Sequence, residues 1–292
     1  FKSERSLNLS SGVVTFNTSG PTPSWVASDG TGSSGTLETL SWTDAQSNTI
    51  QYKVAKFTFD NLNLGDGVTV NLTGDNPIHI DVTGDATINA ALDANGTSGD
   101  NVILTEYVTG NLGGGEGGSS WVTNDYTDMK AKHGKGPSHL VGSSPFNSGG
   151  SRYESGSLSG TGLIAGKGAG GGSYGGSGAR AEPNGGSGDL SDHAISGGTY
   201  GNIDVSALLA GSGGGGGRIA NGGSGAGAIK ITSGGTLTIG ADISATGGRG
   251  GNYGDHSDFG PGYTLWYDAS DPSTIFKDSN GKVHTWHGVE KT

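Results

Sequence analysis

The chain has 292 residues, of which 61 are glycine and none cysteine, with 30% hydrophobic residues and a formal net charge of −11 at pH 7. That length allows one elongated domain or two smaller ones, yet the low apolar content keeps any core narrow. Glycine without a strict three-residue period excludes collagen, the acidic balance argues against nucleic acid or anionic membrane as partner, no apolar run is long enough to insert in a membrane as a helix, and without cysteine there is no disulfide framework.

The chain opens at Phe1 instead of Met, which predicts a removed leader or a piece of a longer product. Residues 1–96 read as an N-terminal β region. Alternating segments at 12–17, 51–60 and 67–74 place Tyr52, Val54, Phe57, Phe59, Leu62, Leu64, Val68, Val70 and Leu72 largely at period two, with Gly65-Asp66-Gly67 as a turn. From Asp75 to Gly96 short strands follow, broken at Gly84-Asp85 and Asn95-Gly96, and no helical periodicity interrupts them. The Asn-x-Ser/Thr sequences at Asn8, Asn17, Asn71 and Asn95 would be glycan acceptors only in a eukaryotic secretory route; chance accounts for them in so polar a chain.

The strand text of 77–96 returns at 228–247. At one constant offset 8 of these 20 positions are identical, including Ile78/Ile229, Ile80/Ile231, Gly84/Gly235, Ile88/Ile239, Ala90/Ala241 and Ala94/Ala245. A repeat held in register across such a gap predicts two stacked layers. The expected fold is therefore all-β, a right-handed parallel β-solenoid-like scaffold with a glycine-rich insertion; the alternative is a β-sandwich. The first repeat layer closes the 1–96 region, the second occupies 228–251, and 77–96 should lie against 228–247.

The insertion, 97–227, holds most of the glycine. One reading is a flexible linker, since ordering glycine costs the most backbone entropy. The other is a packed set of glycine strands or extended polyglycine helices, which can approach closely because they lack Cβ atoms. Interleaved Tyr107, Trp121, Tyr126, Leu163, Tyr174, Leu208 and Leu209 would serve as its anchors. The insertion is expected to project from one seam of the scaffold.

Phe57-Thr58-Phe59-Asp60-x-Leu62-x-Leu64-x-x-Gly67-Val68-Thr69-Val70, followed by Gly84-Asp85-Ala86-Thr87-Ile88, Leu92-Asp93-Ala94-Asn95-Gly96 and the return at Ala228-Ile229-Lys230-Ile231, resembles large glycine-rich β-helical surface or adhesin-like proteins of environmental bacteria. The resemblance covers about residues 52–250. It implies adhesion or envelope structure and brings no catalytic residues. Residues 252–292 are different text. Leu265-Trp266-Tyr267-Asp268-Ala269-Ser270-Asp271, Thr274-Ile275 and Gly281-Lys282-Val283-His284-Thr285-Trp286 are similar to the start of a laminin-G-like, concanavalin-type module, truncated here.

Candidate sites are few. Asp189 and Asp192, and Asp255 and Asp258, sit in glycine-rich turns with oxygen ligands suited to calcium, although Asp also stabilises such turns unaided. Trp266, Tyr267 and Trp286 could stack on a sugar ring, although in jelly rolls such aromatics also serve as core. The stretch 160–168 lacks the hydroxyl residue a phosphate loop requires at 168. His79 is expected on an outward strand face, solvated. The matched strands expose His79, Asp81, Asn89 and Asp93 against Lys230, Thr232, Gly240 and Ser244, with no recurring carboxylate pair.

These readings predict an extracellular or cell-surface structural or adhesive protein, with no catalytic residue and no cofactor apart from calcium. Its expected partners are copies of itself, other surface proteins or glycans, and a self-assembling fibre subunit is one form of that role. The alternatives are a glycan-binding module of a bacterial or phage adhesin and a polysaccharide lyase or hydrolase.

Overall fold

The computed structural model describes residues 6–43, 49–99, 106–120, 131–141, 207–216 and 221–250, together with the backbone of 158–159 and 162–163. Among them every regular element is a strand: β1 (Ser6–Asn17), β2 (Ser24–Ala27), β3 (Gly32–Ser34), β4 (Thr36–Thr43), β5 (Thr49–Phe59), β6 (Asn61–Thr73), β7 (Ile78–Val82), β8 (Ala86–Ile88), β9 (Leu92–Asp93), the short pair β10 (Leu158–Ser159) and β11 (Gly162–Leu163), then β12 (Ile229–Ser233), β13 (Leu237–Ile239) and β14 (Ile243–Ser244). No helix long and apolar enough to cross a membrane occurs among the described residues.

The protein is all-β with mixed sheets. One sheet runs β13-β8-β6-β1-β2-β3, a second runs β12-β7-β5-β4, and β14 pairs with β9. Neighbours are parallel through β13, β8, β6 and β1 and through β12, β7 and β5. They turn antiparallel at β2, β3 and β4. The chain therefore passes from one sheet to the other and back, from β5 to β6, from β7 to β8 and from β12 to β13. Each passage lays its strands against those of the passage before.

The two repeated stretches pair as the constant offset requires. Ile78 lies opposite Ile229, Ile80 opposite Ile231, Ile88 opposite Ile239 and Leu92 opposite Ile243. At the corners short polar side chains join successive passages. The Asp85 amide donates to Asn61 Oδ1 at 3.1 Å, and the Thr236 amide to Asp85 Oδ1 at 2.7 Å. One bend further on, Asn95 Oδ1 accepts from the Thr246 amide at 2.6 Å and from Ser244 Oγ at 2.7 Å. Each bond satisfies a backbone donor or hydroxyl at a turn, where no ladder partner exists.

Period-two alternation builds the core. Ala55, Phe57 and Phe59 on β5, Leu62 and Leu64 on β6, and Ile78, Ile80 and Val82 on β7 are buried with Val14 and Phe16 of β1. Phe16 meets Phe57 edge-on at 5.2 Å between ring centroids, and Trp25 of β2 covers Phe59 at 5.5 Å. Each of these buried Val, Leu, Ile and Phe side chains contributes roughly 1.5–3 kcal/mol by leaving water. Trp25 and Ala27 close this end of the core.

The described glycine-rich segments form a second kind of packing, without β-ladders or α-helices. Gly115 and Gly118 donate their amides to Gly211 and Gly214; Gly222 and Gly225 donate to Gly118 and Gly115; Gly213 and Gly216 donate to Lys135 and Lys132; and Lys132 and Lys135 donate to Ser119 and Glu116, all at 2.8–3.0 Å. Every step along these segments is three residues. That is the repeat of an extended polyproline-II-type helix, which has about three residues per turn and must hydrogen-bond to neighbours because it has no internal bonds. The scaffold feeds this array directly, with Gly96 and Gly99 donating to Thr246 and Arg249, and Ser224 and Gly227 to Thr97 and Ala94. A methyl group on Gly117 would enter the carbonyl oxygen of Gly222, and one on Gly225 the carbonyl of Gly211. Only glycine permits that approach.

The described parts of the insertion thus fold back onto the scaffold, where projection from one seam was expected. Leu112, at φ 47° and fully buried, joins the main core. Its amide donates to the Gly74 carbonyl at 2.6 Å, and Asn111 beside it bonds Leu72 and Gly74. Leu209 and Ala207 pack with Tyr52 and Val54 on the outer face of β5, with Leu140, Leu208 and Trp42 around them. Of the other expected anchors, Tyr107 carries the Lys132 and Lys135 ammonium groups at 4.8 and 4.0 Å from its ring centroid. Lys135 also pairs with Glu116.

Candidate functional site

Ionisable side chains converge on the outer face of the second sheet. The parallel registers set Lys56 of β5 beside His79 of β7, His79 beside Lys230 of β12, and Asp81 beside Thr232. Lys56 Nζ lies 2.8 Å from Asp81 Oδ2 and 3.8 Å from Glu38 Oε1 of β4. Thr232 Oγ1 donates to Asp81 Oδ1 at 2.6 Å, so at 2.9 Å it must accept from His79 Nε2. That requires the Nε2–H tautomer of the neutral ring. The cluster spans four strands and joins both repeat layers.

Its electrostatics follow from these contacts. The Lys56 ammonium first, and then the Thr232 hydroxyl, hold the Asp81 carboxyl below the usual aspartate value. The hydrogen bond to Asp81 raises Lys56. Burial, and then the Lys230 charge, lower His79 and keep its ring neutral. His79 is half-buried and bonded, where a solvated surface ring was expected. The imidazole touches a hydroxyl that a carboxylate already engages, so these side chains tie the two repeat layers together.

The outer face of the first sheet is different. Asn8, Asn63, Thr87 and Thr238 fall in one row across β1, β6, β8 and β13. Asn63 Nδ2 donates to Asn8 Oδ1 at 2.8 Å, and further along the same two strands Asn71 Nδ2 reaches Thr15 Oγ1 at 3.4 Å. This row presents amides and hydroxyls without a formal charge.

A third polar feature is internal. His139 lies between the glycine array and β5, its Nδ1 3.1 Å from the Gly113 carbonyl and its ring edge-on to Tyr52 at 6.2 Å. Burial pushes its pKa down to about 4. Nε2 has no hydrogen-bond partner, so the ring is the neutral Nδ1–H tautomer.

The calcium candidates Asp189, Asp192, Asp255 and Asp258 and the stacking candidates Trp266, Tyr267 and Trp286 lie outside the described residues. Among the described residues no group of three or more His, Asp or Glu could hold a metal ion. Of the 160–168 stretch only Gly162–Leu163 is described, as a strand paired antiparallel with Leu158–Ser159. Sequence reasoning set His79, Asp81, Lys230 and Thr232 on one outward face; it missed Lys56 and Glu38, whose strands stand outside the repeat.

The fold and these faces define an all-β chain whose two sheets share one core and continue into a packed glycine array. No protein-family model matches it, and no curated protein or solved structure is significantly similar to it.

Proposed function

We propose that the chain is a secreted, surface-exposed structural or adhesive protein, built as a parallel β-solenoid whose coils continue into the glycine array, and that it associates with copies of itself. The observation that carries this reading is the layer-on-layer register, in which β5, β7 and β12 and β6, β8 and β13 follow one another in parallel while the chain alternates between the sheets. In a stack of this kind each layer buries its neighbour's apolar face, so the protein lengthens by addition. Hydrogen bonds among closely packed backbones stabilise the array without cysteine. The Asn8–Asn63–Thr87–Thr238 row offers an uncharged adhesive surface.

Antibody raised against the purified chain should label intact producing cells, and external protease should strip the label. Retention of the label inside protease-treated cells would refute the surface assignment. Light scattering and electron microscopy of the purified chain should detect assemblies, and a strict monomer at all concentrations would remove self-association.

A further inference from the structure

β5 runs on past the start of β7, and a short piece of the insertion fills the gap. The Ala55 amide donates to the Pro77 carbonyl, just before β7; two residues earlier the Lys53 amide, on the same edge of β5, donates to the His139 carbonyl at 2.9 Å. The Val141 amide returns a bond to the Gln51 carbonyl at 2.9 Å, and Tyr52 and Leu140 form an antiparallel bridge. Residues 138–141 thus stand beside β5 where β7 no longer does. On their other side Ser138 gives its amide to the Gly113 carbonyl and its hydroxyl to the Asp75 carbonyl, both at 3.0 Å. This strap ties the glycine array to the scaffold.

Its weak point is the imidazole. His139 is 2% exposed, its Nδ1–H is given to Gly113, and Nε2 has no hydrogen-bond partner among the described residues. The titratable group facing the ring is Tyr52 of β5, which burial keeps protonated. On the array side Gly113 lies against both the ring and Pro77. The Asp75 carboxyl, in the bend before Pro77, accepts from Ser19 Oγ at 3.0 Å. Burial, opposed by the Gly113 carbonyl, sets the ring's affinity for a proton, and no charged side chain takes part. A proton added at Nε2 therefore buries a cation that has neither counter-ion nor acceptor.

We propose that residues 138–141 are an acid-released strap: when His139 takes up a proton the strap leaves β5, while the layered scaffold stays folded. One bridge with two backbone bonds is a small unit that can open by itself, whereas β5, β7 and β12 are held by continuous ladders. Opening carries the ring into water, which solvates its charge. It also frees the edge of β5 at Gln51 and Lys53, and a free strand edge is a template for pairing.

Amide exchange of the full chain between pH 7 and pH 4, corrected for the intrinsic pH dependence of exchange, tests this. Protection at Lys53 and Val141 should fall about tenfold for each pH unit below the ordinary histidine value of 6.5. The amides of Thr83 and Gly234, which donate to Phe59 and Val82 in the scaffold, should keep theirs. In His139→Gln, whether glutamine holds the strap or loses it, protection at Lys53 and Val141 should no longer change with pH. Strap amides that stay protected down to pH 4 overturn the proposal. Equal loss at all four amides means that the protein unfolds as a whole, and an acid response that persists in His139→Gln assigns it to another group; either result overturns the strap.

Discussion

Ile88 and Ile239 face each other across the parallel β8–β13 pair, yet Ile88 is sealed and Ile239 is among the most exposed large aliphatics of the described residues. The same side chain in the same register therefore has two different energetic roles. Ile88→Ala should destabilise by about 2–5 kcal/mol, the cost of a core cavity. Ile239→Ala should cost roughly 1 kcal/mol or less at concentrations where the chain is monomeric. Urea denaturation of the two variants checks this, and equal losses would contradict the layer assignment.

The glycine array makes a prediction that distinguishes close approach from flexibility. Gly225→Ala drives a methyl group into the Gly211 carbonyl, whereas at Gly247 the nearest atom to an added Cβ is the Ser224 carbonyl oxygen at 3.9 Å. The first change should destabilise by about 1–3 kcal/mol or more, because backbone atoms cannot turn aside. The second should stay within about 0.5 kcal/mol of the parent. Amide exchange read at Gly115, Gly118 and Gly214 should accelerate only in Gly225→Ala. Equal protection in both variants would mean that the segments do not pack as described.

What the sequence made legible was the part carried by side chains at fixed spacing. Ile78-x-Ile80 and Ile229-x-Ile231 state the β7–β12 register outright, and that register alone brings Asp81 to Thr232. The β5–β7 pairing carries no identity, so Lys56 beside Asp81 was invisible; the β1–β6 pairing repeats Leu-Asn-Leu at 7–9 and 62–64, a match too short to declare itself. The antiparallel cap was hidden too, since nothing in Ser24–Ala27 declares its partner. In the array, glycine has no side chain with which to mark a partner, and its three-residue hydrogen-bond step emerges only when several segments are assembled. Leu112 shows the limit most plainly. A lone leucine between Asn111 and Gly113 looks like loop, and it becomes core only because the Gly74 carbonyl and the end of the scaffold hold it in a left-handed conformation.

The layer-joining cluster should be dissected by titrating one carboxyl. Lys56 is the main cause of the lowered Asp81 pKa and Thr232 the second. Lys56→Met should therefore move the Asp81 transition, followed by carbon-detected NMR, further up toward the ordinary aspartate value than Thr232→Val does. Each variant should lose roughly 0.5–1 kcal/mol of stability, as expected for partly exposed polar contacts. A larger upward shift from Thr232→Val would reverse the assigned order of causes. Because the folded-state pKa is depressed, the contribution of Asp81 is full above the unfolded value near 3.8 and is lost as pH falls through the folded value.

His139 should dominate a different and higher pH window. Its ring is buried against Gly113 and Tyr52, with a pKa near 4 in the folded protein against the ordinary value of 6.5. Above 6.5 both states carry the neutral ring, and the group adds no pH dependence. As pH falls from there toward 4 the unfolded chain takes up a proton that the folded chain refuses, so stability declines, by about 3 kcal/mol in all, and levels off below 4. His139→Gln removes the titration. Its unfolding free energy, measured by urea denaturation from pH 8 to pH 4, should be lower at neutral pH and flatter toward acid than that of the parent. Parallel curves for the two proteins would show that His139 titrates freely in the folded state and that the junction between β5 and the glycine array is open to water.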